Sequence, residues 1–296
     1  MKPILPRRFQ VFLRAKEIAL KRNKYIHCWP ILQGTDKSPQ GWEGWPDAKK
    51  FALILTHDVD TARGYNRCRR LMKIEKKLGF RSSFNFVPER YSVSSELRSK
   101  LESNGFEIGV HGLNHDGKLF QSKEMFMDRS VSINRYLKLW NAVGFRAPAM
   151  HHNLDWMTAL NIEYDLSTFD TDPFEPQSDG VKTIYPFMAG NKHLRDGFVE
   201  MPYTVPQDFT LFVLMQESNI EIWCKKLDWI AETGGMVLLN THPDYMKFGE
   251  QKTTFEEYPV EFYREFLEYI LAKYKGQYWH VLPKTMAAFW KSLTKR

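Results

Sequence analysis

From residue 49 onwards, short apolar runs alternate with longer stretches of helical periodicity. FALILTH (51–57) and FEIGVH (106–111) are near-continuous apolar runs of strand length, the pattern of strands buried on both faces. SSFNFV (82–87), Gly144–Arg146, Ile162–Leu166, MVLLNT (236–241) and 278–282 read the same way. Between them, 62–78, 94–104, 122–140, 153–160, 218–232 and 257–274 carry helical patterns, and a terminal helix follows Pro283. Asn104-Gly105 and Gly234-Gly235 supply stops for two of these helices. Strands separated by helices predict a parallel α/β architecture, and about seven such units suit a distorted (β/α)7-type barrel better than an open sheet.

Two segments of different character precede the barrel. Residues 1–25 intersperse basic side chains with Phe9, Phe12, Leu13 and Leu20, and predict a partly amphipathic N-terminal helical arm. Residues 30–47 hold three prolines and three glycines, a density that breaks both periodicities and marks a connector. The chain is therefore divided into a basic helix with its Pro/Gly-rich connector, 1–48, and the barrel, 49–296.

Composition changes this picture in three ways. With 43% hydrophobic and 15% aromatic residues among 296, the chain can fill a large core, which excludes disorder, collagen and coiled coil. The net charge of +7 sits in residues 1–25, where eight basic side chains face Glu17 alone, and the rest of the chain is neutral. A nucleic-acid partner is therefore not expected, because neutralising phosphates needs a concentrated cationic face on the main body. The arm fits peripheral contact with an anionic membrane or a basic helix packed on the barrel. Its basic residues interrupt every apolar run, so it lacks the apolar centre of an export signal, and the longest apolar runs elsewhere, Phe51–Leu55 and Leu211–Met215, are far too short for a bilayer span. Three widely spaced cysteines, Cys28, Cys68 and Cys224, read as reduced thiols. Together these features predict a cytoplasmic protein, with any membrane contact confined to the arm.

In β/α folds, reactive groups gather where strands end at their C-terminal edge. Those ends read THDVD (56–60), HGLNH (111–115), RAP (146–148), YDLSTFD (164–170) and THPD (241–244). His111 and His115, four apart after a strand, can bind one divalent cation, with Asp58 or Asp60 completing a His₂Asp set that leaves a position open for water. Zinc suits this set, as do other divalent ions. Two carboxylates two residues apart can divide the work, one holding the metal while the other takes a proton from water whose pKa the metal has lowered to about 7. His242, on another strand end, can give a proton to a leaving group. This combination predicts a water-activating hydrolase.

The order and context of these motifs resemble the polysaccharide deacetylases with the NodB homology domain, carbohydrate esterase family 4, over roughly residues 49–290. The family's TFDD motif corresponds to Thr56-His57-Asp58-Val59-Asp60, which implies Asp58 as catalytic base and Asp60, displaced by one residue, as metal ligand. Its HxxxH motif corresponds to His111 and His115, and its RxPY motif to Arg146 and Pro148 with Ala149 in the tyrosine position. The resemblance implies that Arg146 holds the base, that the Ala149 N–H donates to the oxyanion, and that His242, ending VLLNTH, is the catalytic acid. A further carboxylate should orient that histidine; Asp165, Asp170 and Asp172 compete for the place, with Asp170 preferred. The implied substrate is an acetylated glycan or glycan precursor.

Two other readings keep the fold: an allantoinase-like hydrolase of a non-sugar C–N bond, often with an altered metal set, and a sugar-binding domain without turnover. Intact Asp60, His111 and His115 weigh against the first, and intact Asp58 and His242 against the second. His151 and His152 read as exposed turn residues, His280 as a satisfied strand residue, and Trp140, Trp223, Trp229 and Trp290 as core.

Overall fold

Strand β1 (Phe51–Val59) is buried at every position and is the axis on which the rest assembles. The structure, a computed structural model, describes residues 7–190, 197–249 and 254–293; positions 1–6 of the arm and 294–296 of the barrel lie outside them. One edge of β1 pairs in parallel with β8 (Met236–Thr241). Its other edge pairs with β11 (Tyr278–His280) at the start and β2 (Ser83–Phe86) at the end. From β2 the sheet continues through β3 (Glu107–His111), β4 (Gly144–Arg146), β5 (Tyr164–Asp165) and β7 (Phe198–Glu200), all parallel, with β6 (Phe187–Ala189) antiparallel on β7. Beyond β7, Val205 bridges Leu239 of β8, so the sheet curls round on itself as a distorted barrel.

The helices lie where the periodicity places them. They are α2 (Ala62–Leu78), α3 (Ser95–Glu102), α4 (Lys123–Trp140), a single turn α5 (Leu154–Met157), α6 (Glu221–Thr233), α7 (Val260–Tyr274) and α8 (Pro283–Leu293), preceded by α1 (Arg7–Tyr25) in the arm. Local chemistry sets their limits: Thr61, Ser94, Ser122 and Asn153 accept from backbone N–H groups at the N-termini of α2, α3, α4 and α5, and Gly79, Asn141 and Gly234 take left-handed conformations at C-termini. A two-stranded pair, β9 (Met246–Lys247) with β10 (Tyr258–Pro259), comes after β8.

The sequence assigns nothing between Leu166 and residue 218, and there it misses a barrel strand. β7 is only three residues long, and Pro202 and Pro206 interrupt the segment after it, so no strand-length run exists to be read. The next apolar run is neither strand nor α-helix: Phe209–Leu214 forms one wide π-helical turn, buried except at Phe209.

The connector packs as an aromatic plug. Trp45 lies within 6.2 Å of Tyr185, Trp279, Phe289 and Trp290, and its indole N–H donates to the Gly234 carbonyl at 2.6 Å. Trp140, Trp223 and Trp290 are buried, Trp229 packs against the core, and His280 accepts from the Arg81 N–H while donating to Leu53 O. The three cysteines are free, and among the described residues no helix is long and apolar enough to cross a membrane. In α1, Val11 and Ile18 are buried while Phe9, Phe12, Leu13 and Leu20 are exposed.

Glu107 on β3 is buried and accepts from the Tyr164 hydroxyl at 2.8 Å and the Lys284 N–H at 3.2 Å. Burial pushes its carboxyl up to about 7, only partly opposed by those donors. The folded state therefore holds this proton more tightly than the unfolded chain. Its contribution is complete below the ordinary 4.5 and is lost as pH rises through about 7, at a cost of about 3 kcal/mol by pH 8. Urea unfolding at pH 5 and pH 8 should show this loss, and Glu107→Gln, which keeps the acceptor oxygen, should remove that part of the pH dependence.

Candidate active site and metal centre

Side chains alternate along a strand, so Thr56 and Asp58 of β1 share one face with Asp60 just beyond its end, while His57 points the other way. His57 is bound from behind: Nε2 lies 2.8 Å from Glu75 Oε1 on α2 and Nδ1 lies 2.7 Å from Thr241 Oγ1. Glu75 also accepts from Ser82 at 2.7 Å and from Tyr263. This buried network anchors β1 to α2 and leaves the aspartates for the interior.

Asp60 meets the two histidines. Its Oδ1 lies 3.3 Å from His111 Nε2 and 3.2 Å from His115 Nε2, and the three donor atoms fall within 4.8 Å of one another. His111 Nδ1 lies 3.0 Å from the Arg146 carbonyl, which accepts the proton and leaves Nε2 with its lone pair directed inward. Asp60 Oδ1 is buried and, among the described residues, has no hydrogen-bond donor, the situation of an atom awaiting a cation. Burial would raise the Asp60 carboxyl, but His115 and His111 hold it well below the usual range. A carboxylate oxygen and two imidazole nitrogens that converge within 4.8 Å of one another fit a divalent cation. Asp244 accepts from the Asp60 N–H at 2.9 Å and from Thr61, and sits so close to the start of α2 that a Cβ on Gly64 would lie 2.1 Å from its Oδ2.

Asp58 occupies a different environment. It accepts from Asn85 Nδ2 and Asn240 Nδ2, both at 2.9 Å, and its Oδ2 lies 3.7 Å from Arg146 Nη1. Asn85 itself fits only because residue 109 is glycine; a Cβ there would lie 2.1 Å from Asn85 Oδ1. Burial opposes ionisation of Asp58, yet Arg146, His111 and His242 bring its carboxyl below the usual range. Arg146 is fully buried, donates from Nη2 to Thr56 Oγ1 at 3.1 Å, and has no acceptor at Nε or Nη1 among the described residues. The pair thus separates the aspartates that the sequence leaves open: Asp60 faces the histidines, Asp58 the arginine.

His242 comes directly after β8, with Nε2 4.0 Å from Asp58 Oδ2. Its partner is Asp208, which lies 2.6 Å from Nδ1 and also accepts the His242 backbone N–H at 2.7 Å and the Tyr258 hydroxyl at 2.9 Å. Burial would lower the imidazole, but Asp208, Asp60 and Asp58 push it up to about 10. None of the three aspartates considered from sequence reaches this ring. Asp170 pairs with Lys226 Nζ at 2.5 Å, Asp165 accepts from the Ser167 hydroxyl at 2.7 Å, and Asp172 accepts from the Tyr203 hydroxyl at 2.9 Å. The reason is barrel order. β5, which carries Asp165, adjoins β4 and β7, whereas Asp208 comes soon after Val205, which bridges directly to β8. A polar residue after MPYTVP was the available signal, hidden by the missing strand.

Asp58, Asp60, His111, His115 and His242 line one cavity of about 160 Å³. Ala149 joins them from the turn after β4, in a left-handed conformation (φ 54°), as do Glu175, Gln207, Tyr245 and, from α1, Arg14. His151 and His152 are half-buried rather than exposed, with His152 Nδ1 donating to the Met150 carbonyl at 2.9 Å.

No family model matches the chain, and no curated protein matches it by sequence. Solved structures do. One from Mycobacterium smegmatis, described as a polysaccharide deacetylase, superposes with a TM-score of 0.66 at 17% identity, covering 87% of this chain and 96% of that one. The PuuE allantoinase gives 0.63 at 14% identity, over 84% and 92% of the two chains. A Pseudomonas aeruginosa PAO1 protein described as a polysaccharide deacetylase gives 0.61 at 15%, over 84% and 93%. The chain therefore has the NodB-type barrel fold of polysaccharide deacetylases, a fold that the allantoinase shares.

Removing one candidate ligand should be read directly as metal affinity. Asp60→Asn and His111→Ala are each expected to weaken Zn²⁺ binding in calorimetry by more than the roughly 10–100-fold that an outer partner costs, while Asp58→Asn keeps it. Asp208→Asn should bring the His242 titration in the metal-free protein, followed by NMR, down from about 10 towards the ordinary 6.5.

Proposed function

We propose that the protein is a metal-dependent hydrolase that removes an acetyl group from an acetylated sugar or glycan. The observation that carries this reading is the pairing of Asp58 with His242, 4.0 Å apart, beside the Asp60–His111–His115 set. An ionised carboxylate and a protonated imidazole side by side at a candidate cation site make up an acid–base pair for acyl transfer to water.

A divalent cation held by Asp60, His111 and His115 supplies Lewis acidity that polarises an acyl carbonyl and acidifies water. The remaining work falls to the chain's own groups. Asp58, kept ionised by Arg146, takes the proton of the attacking water as its oxygen bonds to the acyl carbon. The Ala149 N–H donates to the developing oxyanion, a contact typically worth about 3–4 kcal/mol. When the bond to the sugar nitrogen or oxygen breaks, His242 gives its Nε2 proton to the leaving atom, and Asp208 at Nδ1 holds the ring in place and stabilises its charge. The products are acetate and the free sugar amine or hydroxyl.

Acetate release from acetylated chitooligosaccharides and acetylated xylan by the zinc-loaded protein tests this directly. Asp58→Asn and His242→Ala should each lower turnover about 10²–10⁴-fold while Asp58→Asn retains metal. Chelation should abolish activity, and added Zn²⁺ should restore it. Metal binding without acetate release from any acetylated glycan would sink the reading, and rapid hydrolysis of allantoin instead would move the substrate away from sugars.

A further inference from the structure

We propose that Arg14, delivered to the cavity by the N-terminal helix α1, reads an oxyanion, phosphate or carboxylate, carried by the substrate beside its acyl group. This deepens the deacetylase reading and rests on it for the nature of the substrate. The helix lies outside the span of the motif resemblance, yet it packs against the wide turn at Phe209–Leu214, immediately after Asp208. Val11 and Ile18 bury its inner face, and Arg22 pairs with Glu217 at 2.6 Å to hold its far end. Arg14 is thereby brought to the wall of the cavity that contains Asp58, Asp60 and His242.

Two contacts fix the side chain without using it up. Nη2 donates to the Phe174 carbonyl at 3.2 Å, and the guanidinium carbon lies 5.7 Å from the centroid of the Phe209 ring. Among the described residues no carboxylate comes within 4.0 Å of it to form an ion pair, so the remaining N–H donors of the fork are available to a ligand. The acidic neighbour in the cavity is Glu175, and its carboxyl is engaged elsewhere: it accepts from the Tyr203 hydroxyl at 2.9 Å and Gln207 Nε2 at 2.5 Å. Burial raises its carboxyl above the usual range even against the pull of the Arg14 charge, so the two groups act on each other through space without an ion pair that would occupy the fork. A permanently charged, planar fork held at the rim of a catalytic cavity matches phosphate or carboxylate geometry. A neutral glycan gives it nothing comparable.

Binding and turnover of the full-length zinc-loaded protein test this, using N-acetylglucosamine, N-acetylglucosamine 1-phosphate and N-acetylmuramic acid as neutral, phosphate and carboxylate probes. In calorimetry with the Asp58→Asn protein, at least one charged probe should bind about tenfold to a hundredfold more tightly than the neutral one. Arg14→Gln in that background should abolish the preference, and Arg14→Lys should restore part of it; which probe gains identifies the oxyanion. In the active protein, Arg14→Gln should raise KM for a charged acetylated substrate about tenfold or more relative to its effect on a neutral one, so that the charged-to-neutral ratio of kcat/KM falls. An arginine that merely fastened α1 would not move the charged-to-neutral ratio. Equal binding of all probes, or a charge preference that survives Arg14→Gln, overturns the proposal. Acetate release without any charge preference would leave the deacetylase reading intact and remove this one, whereas an Arg14-dependent preference without acetate release would do the reverse.

Discussion

A buried carboxylate must find a partner, and this single requirement organises the interior of the barrel. β1 is buried throughout, yet it and the residue after it carry His57, Asp58 and Asp60. Taking such groups out of water costs several kcal/mol each unless charge and hydrogen bonds replace the water. The surrounding strands are therefore arranged to supply replacements: Asn85 from β2, His111 from β3, Arg146 from β4, Asn240 from β8 and His242 just beyond it. Hydrophobic packing holds the helices on the outside, and the strand ends that converge on β1 each bring one of these partners.

The partners divide into two groups with different consequences. Asp58 is fully supplied, with two amide donors and an arginine, and ionises easily despite its burial. Asp60 faces two imidazoles, and among the described residues its Oδ1 has no hydrogen-bond donor. The first arrangement keeps a carboxylate ionised in the interior, and the second leaves an oxygen open to a cation. Beside Asp58, Asp208 raises His242, so a protonated imidazole stands next to an ionised carboxylate. Three carboxylates of similar intrinsic acidity are thus set to different tasks by what surrounds each one.

Outside this centre, buried charge serves architecture. Lys226 on α6 reaches both Asp170 and the Pro30 carbonyl, tying the start of the connector to the barrel wall. Its carboxylate partner is pushed up to about 6 by burial, so the pair fixes position more than it adds stability. The basic arm, whose charge first invites comparison with membrane-binding helices, places one of its arginines at the cavity instead of leaving all of them to solvent.

The sequence by itself determined the helices, most of the strands, and the candidate ligands, base and acid, because these depend on short-range periodicity and on fixed spacings along single elements. DxD on one strand face and HxxxH after the next but one strand are local facts. What only the tertiary structure decided is every relation that runs through the barrel's circular order. A three-residue strand flanked by prolines gives no periodic signal, so β7 stayed hidden, and with it Asp208 as the neighbour of β8. Asp170 looked equivalent along the chain but ends at Lys226. The division between Asp58 and Asp60, and the arrival of Arg14 from an arm that precedes the barrel, likewise depend on which surfaces the fold brings face to face.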